Sequence, residues 1–472
     1  MLEHLTDRAA RDAIPIEPIA EGGLEGWLKA QPAATRNWVA ANRFLAKPGQ
    51  HLLIPDGEGR IAAVALGVQG AGVAAEKDIW SYGGLPMALP EGSYRLHDEM
   101  PEAAATAAGL GWALGGYGFT RYKKRERDPA RLALPRSADK AAVRREAEAV
   151  FLVRDLVNTP AEDMGPAELA AAARAVARAG KARFSVIVGD ELLKRNYPSI
   201  HAVGRASSRP PRLIDLRWGN RGPRVTLVGK GVCFDSGGLD LKSSANMLQM
   251  KKDMGGAAHV LGLAQMIMAA GLPLRLRVLI PAVENSVSAN AYRPRDIIRS
   301  RKGLSVEIGN TDAEGRVILS DALAEADSEK PDLLIDMATL TGAARVALGP
   351  DLPALYANDD GLAEQALRHG KAADDPLWRM PLYKPYRRMI DSPVADINNS
   401  GDSPFAGSIT AALFLADFVD PATRWIHLDI MAWNGRTRPG KPEGGEAVAI
   451  RGLYGMIAEM AGSGRAGKSG RR

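Results

Sequence analysis

The chain has 472 residues, more than one ordinary hydrophobic core supports, so two domains are expected. Its 46% hydrophobic and 25% charged residues exclude the disordered and fibrous classes, and its single cysteine, Cys233, excludes an intrachain disulfide. The net charge of +6 is small for this length, which argues against nucleic acid as the main partner.

Charged residues such as Glu3, Asp7, Arg8, Arg11 and Asp12 interrupt the first twenty positions, so the apolar run of a signal peptide is absent there. No stretch of membrane-spanning length is free of charge, and a cytoplasmic protein without a membrane partner is expected. Helical patterns over residues 24–45 and 102–114 flank a hairpin of His51–Pro55 and Ile61–Val68, joined by the turn-rich Asp56-Gly57-Glu58-Gly59. The run Arg121, Lys123, Lys124, Arg125 and Arg127, with one aromatic, Tyr122, reads as a solvated face. Residues 128–140 carry two prolines and no period, which puts the boundary of a small N-terminal α/β domain at residues 1–136.

A long helical pattern begins near Ala141, and strands at 224–228, 275–280, 304–308, 333–337 and 425–430 then alternate with helices at 247–270, 317–326 and 409–418. Residues 137–461 are therefore expected to form a larger α/β/α domain around a central mixed sheet. The Gly/Ser-interrupted basic segment 462–472 reads as a disordered tail.

Two short segments place charged side chains among glycines, where packing gives them little to do. One is Val228-Gly229-Lys230-Gly231-Val232-Cys233-Phe234-Asp235-Ser236-Gly237-Gly238, followed by Lys242 and Asp253; the other is Asn310-Thr311-Asp312-Ala313-Glu314-Gly315-Arg316. Singly, each charge has a plain explanation, since Asp312 suits a helix cap and Glu314 a first turn. Lys230 lacks the Gly-x-x-x-x-Gly-Lys-Ser/Thr spacing of a phosphate loop. Taken as a set, four carboxylates gathered at strand and helix ends would repel one another unless cations neutralised them. The seven histidines are scattered without HExxH spacing, and His259 reads as a core residue. A metal site here would be built from carboxylates, carbonyls and a lysine amine, ligation that suits Mg²⁺ and Mn²⁺ and allows Zn²⁺ in a dinuclear site.

The string Val-Gly-Lys-Gly-x-x-Phe-Asp-Ser-Gly-Gly, then Leu-Lys, Asp-Met-Gly-Gly-Ala-Ala and Asn-Thr-Asp-Ala-Glu-Gly-Arg, resembles the signature of the leucyl (cytosol) aminopeptidase family. The later Asp336-Met337-Ala338-Thr339-Leu340-Thr341-Gly342-Ala343 is similar to another of its motifs. The resemblance implies a metal-dependent peptide hydrolase, a two-metal aminopeptidase preferring leucine-like first residues. It implies that Lys230, Asp235, Asp253 and Glu314 hold the tighter ion and Asp235, Asp312 and Glu314 the more exchangeable one. The ions would be Mn²⁺ or Zn²⁺, or else Mg²⁺ or Co²⁺. A lysine ligates only as the free amine, so two dications must favour deprotonation of a group whose ordinary pKa is about 10.4. In the family Lys242 stays charged and polarises the scissile carbonyl, while Arg316 holds a bicarbonate ion as general base. Met250, Thr339 and Gly342 would line the pocket for the first side chain, the backbone at Leu340 and Gly342 would bind peptide, and six copies would assemble as a dimer of trimers.

Three departures stand near these motifs: Ser243 where the family often has proline, Cys233 where threonine is common, and the bulky Met431-Ala432-Trp433-Asn434 near the pocket wall. A retired enzyme acting as scaffold or DNA-binding protein is disfavoured by the complete set of five ligands and two catalytic side chains. A dinuclear phosphoesterase leaves the lysine ligand and the motif after Asp336 unexplained.

Overall fold

The computed structural model describes residues 2–70, 78–401 and 403–466. The chain divides into two compact units, Met1–Phe151 with Asn434–Glu443, and Leu152–Trp433 with Gly444–Arg472. The division falls inside the Lys140–Asn158 helix and not at 136, because the first turns of that helix pack within the first unit. Val143 lies beside Gly109, and Phe151 rests against Tyr117 with ring centroids 5.0 Å apart. Residues 434–443 return to the same unit, with Gly440 N–H donating to Gly83 O and Lys441 Nζ 4.4 Å from the centre of the Trp80 ring.

The first unit is built on a six-stranded sheet, in the order Leu5–Thr6, Arg131–Ala133, Ser93–Arg95, Ile14–Ala20, Ile61–Val68, His51–Pro55. The hairpin lies where its pattern placed it, and Asp56 Oδ1 accepts from the Glu58 and Arg60 N–H groups to hold the turn. The single helical pattern over 24–45 becomes two helices, Leu24–Lys29 and Ala33–Ala41, because Pro32 lacks an N–H and has an extended ψ of 153°. Within the basic run, Arg125 and Arg127 donate to carbonyls of Gly116, Met87 and Leu89, so part of it serves the fold.

The second unit is built on a nine-stranded mixed sheet. Four strands at its centre, Trp425–Asp429, Leu333–Ala338, Arg224–Gly229 and Arg275–Asn285, are mutually parallel, and the short Gly231–Asp235 strand adds in parallel to the far end of the last. Arg212–Trp218 and Arg183–Val188 extend the sheet antiparallel, and their charged positions hide the strand pattern in the sequence. Residues Ser305–Glu307 are a strand as expected, but belong to a separate three-stranded sheet with Ile297–Arg299 and Ile397–Asn398.

The Glu314–Ser328 and Gly407–Ala416 helices share one apolar cluster with the sheet, joining Val228, Val317, Leu334, Phe414, Phe418 and Trp425. The Gly255–Ala269 helix packs on the same strands outside that cluster, so the sheet is covered on both faces, as the α/β/α expectation requires. That helix is apolar around its whole circumference, which suits its burial between the sheet and the Ile450–Ala466 helix. Among the described residues no helix is long and apolar enough to cross a membrane. The expected disordered tail begins inside the Ile450–Ala466 helix, and 467–472 lie outside the described residues. Chain direction places Lys230, Asp235, Thr339 and Asp429 at the carboxyl ends of parallel strands, where open α/β sheets form their binding crevices.

Candidate active site

The glycine-rich segment 228–238 holds the end of the Arg224–Gly229 strand, a break at Lys230, the Gly231–Asp235 strand and the turn that follows it. Lys230 N–H donates to Met337 O and its carbonyl accepts from Ala257 N–H, so its backbone ties the sheet to the start of the Gly255–Ala269 helix. The turn after Asp235 runs through Gly237 and Gly238 at φ +89° and +67°, a left-handed path that a Cβ would strain. It returns the chain so that Lys242 N–H reaches Ser236 O.

All five residues expected as ligands converge. Lys230 Nζ lies 2.7 Å from Asp253 Oδ2 and 2.9 Å from Glu314 Oε1, and donates to Thr339 O at 2.9 Å. Lys242 Nζ lies 2.8 Å from Asp235 Oδ2 and also contacts Asp312 Oδ1. Carboxylate oxygens of Asp235, Asp312 and Glu314 fall within 4.8 Å of one another. Gly315 is required beside them, since a Cβ there would meet Lys230 Cε at 2.5 Å.

The charges do not balance within this cluster, where four carboxylates face two lysines. Burial by itself would lower the Lys230 pKa, but Asp253, Glu314 and Asp235 raise it on balance. Burial likewise opposes the Lys242 ammonium, and Asp235 and Asp312 restore it. Asp253 is buried, which favours its neutral form, yet Lys230 holds its pKa below the ordinary carboxylate value. Glu314 goes the other way, pushed up to about 8 by burial and by Asp235, and Asp312 is pushed up to about 6 by the same two causes. The two directions disagree only superficially, because one ammonium cannot satisfy every carboxylate around it. Among the described residues neither Glu314 oxygen has a hydrogen bond: the Lys230 contact is close but poorly aligned. Buried carboxylate oxygens without donors, beside two further acids, are the donor set a divalent cation would complete.

Residues outside the quoted motifs, together with Thr311 from within one of them, hold the cluster in place. Asn285, at the end of its strand, donates to Asp235 Oδ1 and Thr311 O, orienting the acid most central to the group. Asp240 and Thr311 brace the two loops reciprocally, each accepting the other's N–H. Asn399 Oδ1 accepts from the N–H groups of Gly309 and Asn310, and its carbonyl accepts from Arg316 Nη1 at 2.8 Å. Arg316 is buried, its Nε has no partner, and desolvation brings its pKa down to about 10 against the pull of Asp429 and Glu314. Asp429 accepts from the N–H groups of Leu340 and Thr341 and from the Thr341 hydroxyl, fixing the start of the Gly342–Leu348 helix.

The cluster opens into a cavity of about 290 Å³ lined by Met250, Thr339, Leu340 and Gly342, as well as by Lys230, Asp235, Lys242, Asp253 and Asp312. Glu314 and Arg316 are not part of that lining. Thr339 also donates its hydroxyl to Asp253, 2.8 Å from Oδ1. Met431 is in the wall, as its place after the last central strand suggested, and so is Lys252, which the sequence reading passed over. His259 is a core residue, its Nδ1 2.6 Å from Gly255 O and its pKa brought down to about 4 by burial. Cys233 is likewise buried, and burial pushes its thiol pKa well up.

Comparison with known proteins agrees with this geometry. Residues 151–454 match the family model of the cytosol aminopeptidase family, catalytic domain, and residues 14–135 match that of the M17 aminopeptidase N-terminal domain. A probable cytosol aminopeptidase of Roseiflexus castenholzii is 42% identical over 375 residues, covering 75% of this chain and 76% of its own. The crystal structure of a cytosol aminopeptidase from Coxiella burnetii superposes with a TM-score of 0.92 at 49% identity, covering 97% of this chain and 99% of that one. The bottromycin maturation enzyme BotP, solved in complex with Mn, superposes with a TM-score of 0.85 at 34% identity, covering 96% and 100%. With both of its domains matched in order and its acidic cluster assembled at the carboxyl ends of the central strands, the chain belongs to the cytosol aminopeptidase (M17) family of peptide hydrolases.

Proposed function

We propose that the chain is a cytoplasmic aminopeptidase that works with two divalent metal ions held in the acidic cluster. The observation that carries the reading is Glu314, buried, with both oxygens lacking hydrogen bonds among carboxylates that outnumber the nearby lysines. Asp235 and Glu314 would be shared by both ions, Lys230 and Asp253 would complete one site and Asp312 the other. Mn²⁺ and Zn²⁺ are the leading candidates, with Mg²⁺ and Co²⁺ behind them. When bound, the ions supply Lewis acidity, an activated water and an anchor for a free α-amino group.

The chain's own side chains do the rest. Lys230 gives up its proton to become a neutral ligand. Lys242, which lines the same cavity, keeps its own and stabilises negative charge developing on the scissile carbonyl oxygen. Arg316 presents an unpartnered, buried Nε, which suits a small anion such as bicarbonate serving as general base. Met250, Thr339 and Gly342 receive the first side chain, for which a leucine-like shape is the simplest fit, and the backbone of Leu340 and Gly342 binds peptide.

The test is a panel of aminoacyl amides and their N-acetylated counterparts, assayed after chelation and after adding back each ion. Activity on free-amine substrates only, lost on chelation and restored by Mn²⁺ or Zn²⁺, is expected. Full activity in protein shown to be metal-free, or equal cleavage of acetylated substrates, defeats the reading.

A further inference from the structure

The charges lining the active-site cavity divide into those that have partners and those that do not. Every carboxylate is engaged: Asp253 with Lys230, Asp235 and Asp312 with Lys242, and Asp429 with the backbone of Leu340 and Thr341. Two cations are left over. Lys252 lines the cavity two residues after Met250, is only 6% exposed, and among the described residues makes no ion pair or side-chain hydrogen bond. Arg345 also lines the cavity, without an ion pair among the described residues, and its Nη2 would lie 4.0 Å from a Cβ built on Gly342.

Asp253 and Asp429 act on Lys252 through space, but among the described residues neither forms an ion pair with it; an ammonium withdrawn from water without a direct partner is costly, and a methionine of similar length would fill the same space at no such cost. Its neighbour Lys251 shows the structural alternative, donating to Asn158 O at 2.7 Å and lying 5.5 Å from the centre of the Trp433 ring. Lys252 has no such tether and shares its cavity with Met250, Thr339 and Gly342, the side chains to which the function proposed above assigns the first residue.

We propose that Lys252, with Arg345 at the rim, extends the first-residue pocket to side chains ending in a carboxylate, so that glutamyl and aspartyl peptides are substrates alongside leucine-like ones. The inference rests on the reading of this cavity as the first-residue pocket. Glutamate places its carboxylate carbon at the depth of leucine's terminal methyl groups, and its two methylenes can lie along Met250 and the Thr339 methyl group. Its carboxylate then accepts from Lys252 Nζ, whereas leucine leaves that ammonium bare. Glutamine has the same shape without the charge and separates the two contributions.

The experiment compares glutamyl, glutaminyl and leucyl p-nitroanilides on metal-loaded protein, substrates whose only carboxylate is the first side chain. Wild-type kcat/KM for the glutamyl substrate is expected to equal or exceed that for the glutaminyl one. Lys252→Met should lower the Glu:Gln ratio by roughly 10–100-fold, the scale of one charge-assisted hydrogen bond, chiefly through KM. Lys252→Arg should retain most of it, and Arg345→Ala, at the exposed rim, should lower it by no more than about fivefold. Calorimetric binding of free glutamate against glutamine should follow the same order. Wild-type protein that cleaves leucyl and glutaminyl but not glutamyl substrates, or a Lys252→Met ratio within twofold of wild type, overturns the inference alone. Metal-loaded protein that cleaves none of the three overturns the pocket reading and this inference with it.

Discussion

Lys242 and Lys230 sit in one cluster and face the same acids, yet their surroundings suit them to different work. Lys230 is almost wholly buried, and its ammonium is taken up by Asp253, Glu314 and Thr339 O. Lys242 is partly exposed, reaches Asp235 and Asp312 from the cavity side and lines the cavity itself. Lys242→Ala is therefore expected to lower kcat by roughly 10²–10³ with metal content unchanged, as loss of an oxyanion donor does. Arg316→Ala should be milder, and Asp235→Ala should be the most damaging because it removes a carboxylate at the centre of the cluster. Stopped assays with metal analysis on the three variants check the order, and wild-type turnover in Lys242→Ala would show the lysine misassigned. The same cluster sets a pH dependence in the chelated protein. Glu314 at about 8 and Asp312 at about 6 lie above their ordinary values, so the folded chain binds protons that the unfolded chain releases. That stabilisation is complete below about pH 4 and is lost as pH rises through about 6 and then about 8. The melting temperature of chelated protein should fall across this window, and Glu314→Gln, neutral throughout, should flatten the upper part of the slope. An unaltered slope in Glu314→Gln would refute the assignment of the upper step.

At the scale of elements, the helix that carries Glu314 and Arg316 is fastened by an acid far from the chemistry. Asp321, about two helical turns after Glu314 and fully buried, accepts from Ser199 and Ile200 N–H groups at the start of the Pro198–Gly204 helix, and from Arg301 N–H. Burial pushes its pKa up to about 6 although all three donors pull the other way. Asp321→Ala would leave three buried N–H groups without acceptors, and an expected loss of about 2–4 kcal/mol in urea unfolding follows. Asp321→Asn should recover part of it by keeping one acceptor oxygen. A loss under about 0.5 kcal/mol in Asp321→Ala would show that water replaces the carboxylate there.

At the scale of the whole molecule, several large apolar side chains of the second unit stand exposed. Leu241 and Leu248 bracket the loop after Lys242, Val346 follows Arg345, and Phe405 precedes the Gly407–Ala416 helix; all are well exposed. Such side chains are suited to burial between copies, and a homohexamer built as a dimer of trimers is the assembly proposed. Sedimentation velocity is expected to give a single species of about six times the 50.3 kDa chain mass. A stable monomer with full specific activity would contradict the assembly.

Periodicity and motif order in the sequence carried the fold class and the composition of the acidic cluster a long way. The hairpin of His51–Pro55 and Ile61–Val68 and the central strands follow from local rules of alternation and turn chemistry, whereas the helix expected over 247–270 begins only at Gly255, after a short Met250–Met254 3-10 helix. The members of the charged cluster were legible as a set, because several carboxylates and lysines placed together among glycines have no joint packing explanation. Tertiary structure decided the rest. The return of residues 434–443 to the first unit, and the division inside the Lys140–Asn158 helix, depend on contacts between distant segments. The Asn285 and Asn399 braces reach partners 50 and 83 residues away, and an asparagine in isolation reads as a turn. Lys252 is the clearest case: next to Lys251 it looks like half of a surface charge pair, and only folding turns one lysine toward Asn158 O and the other into the cavity, because adjacent residues on a tight helical turn point in different directions.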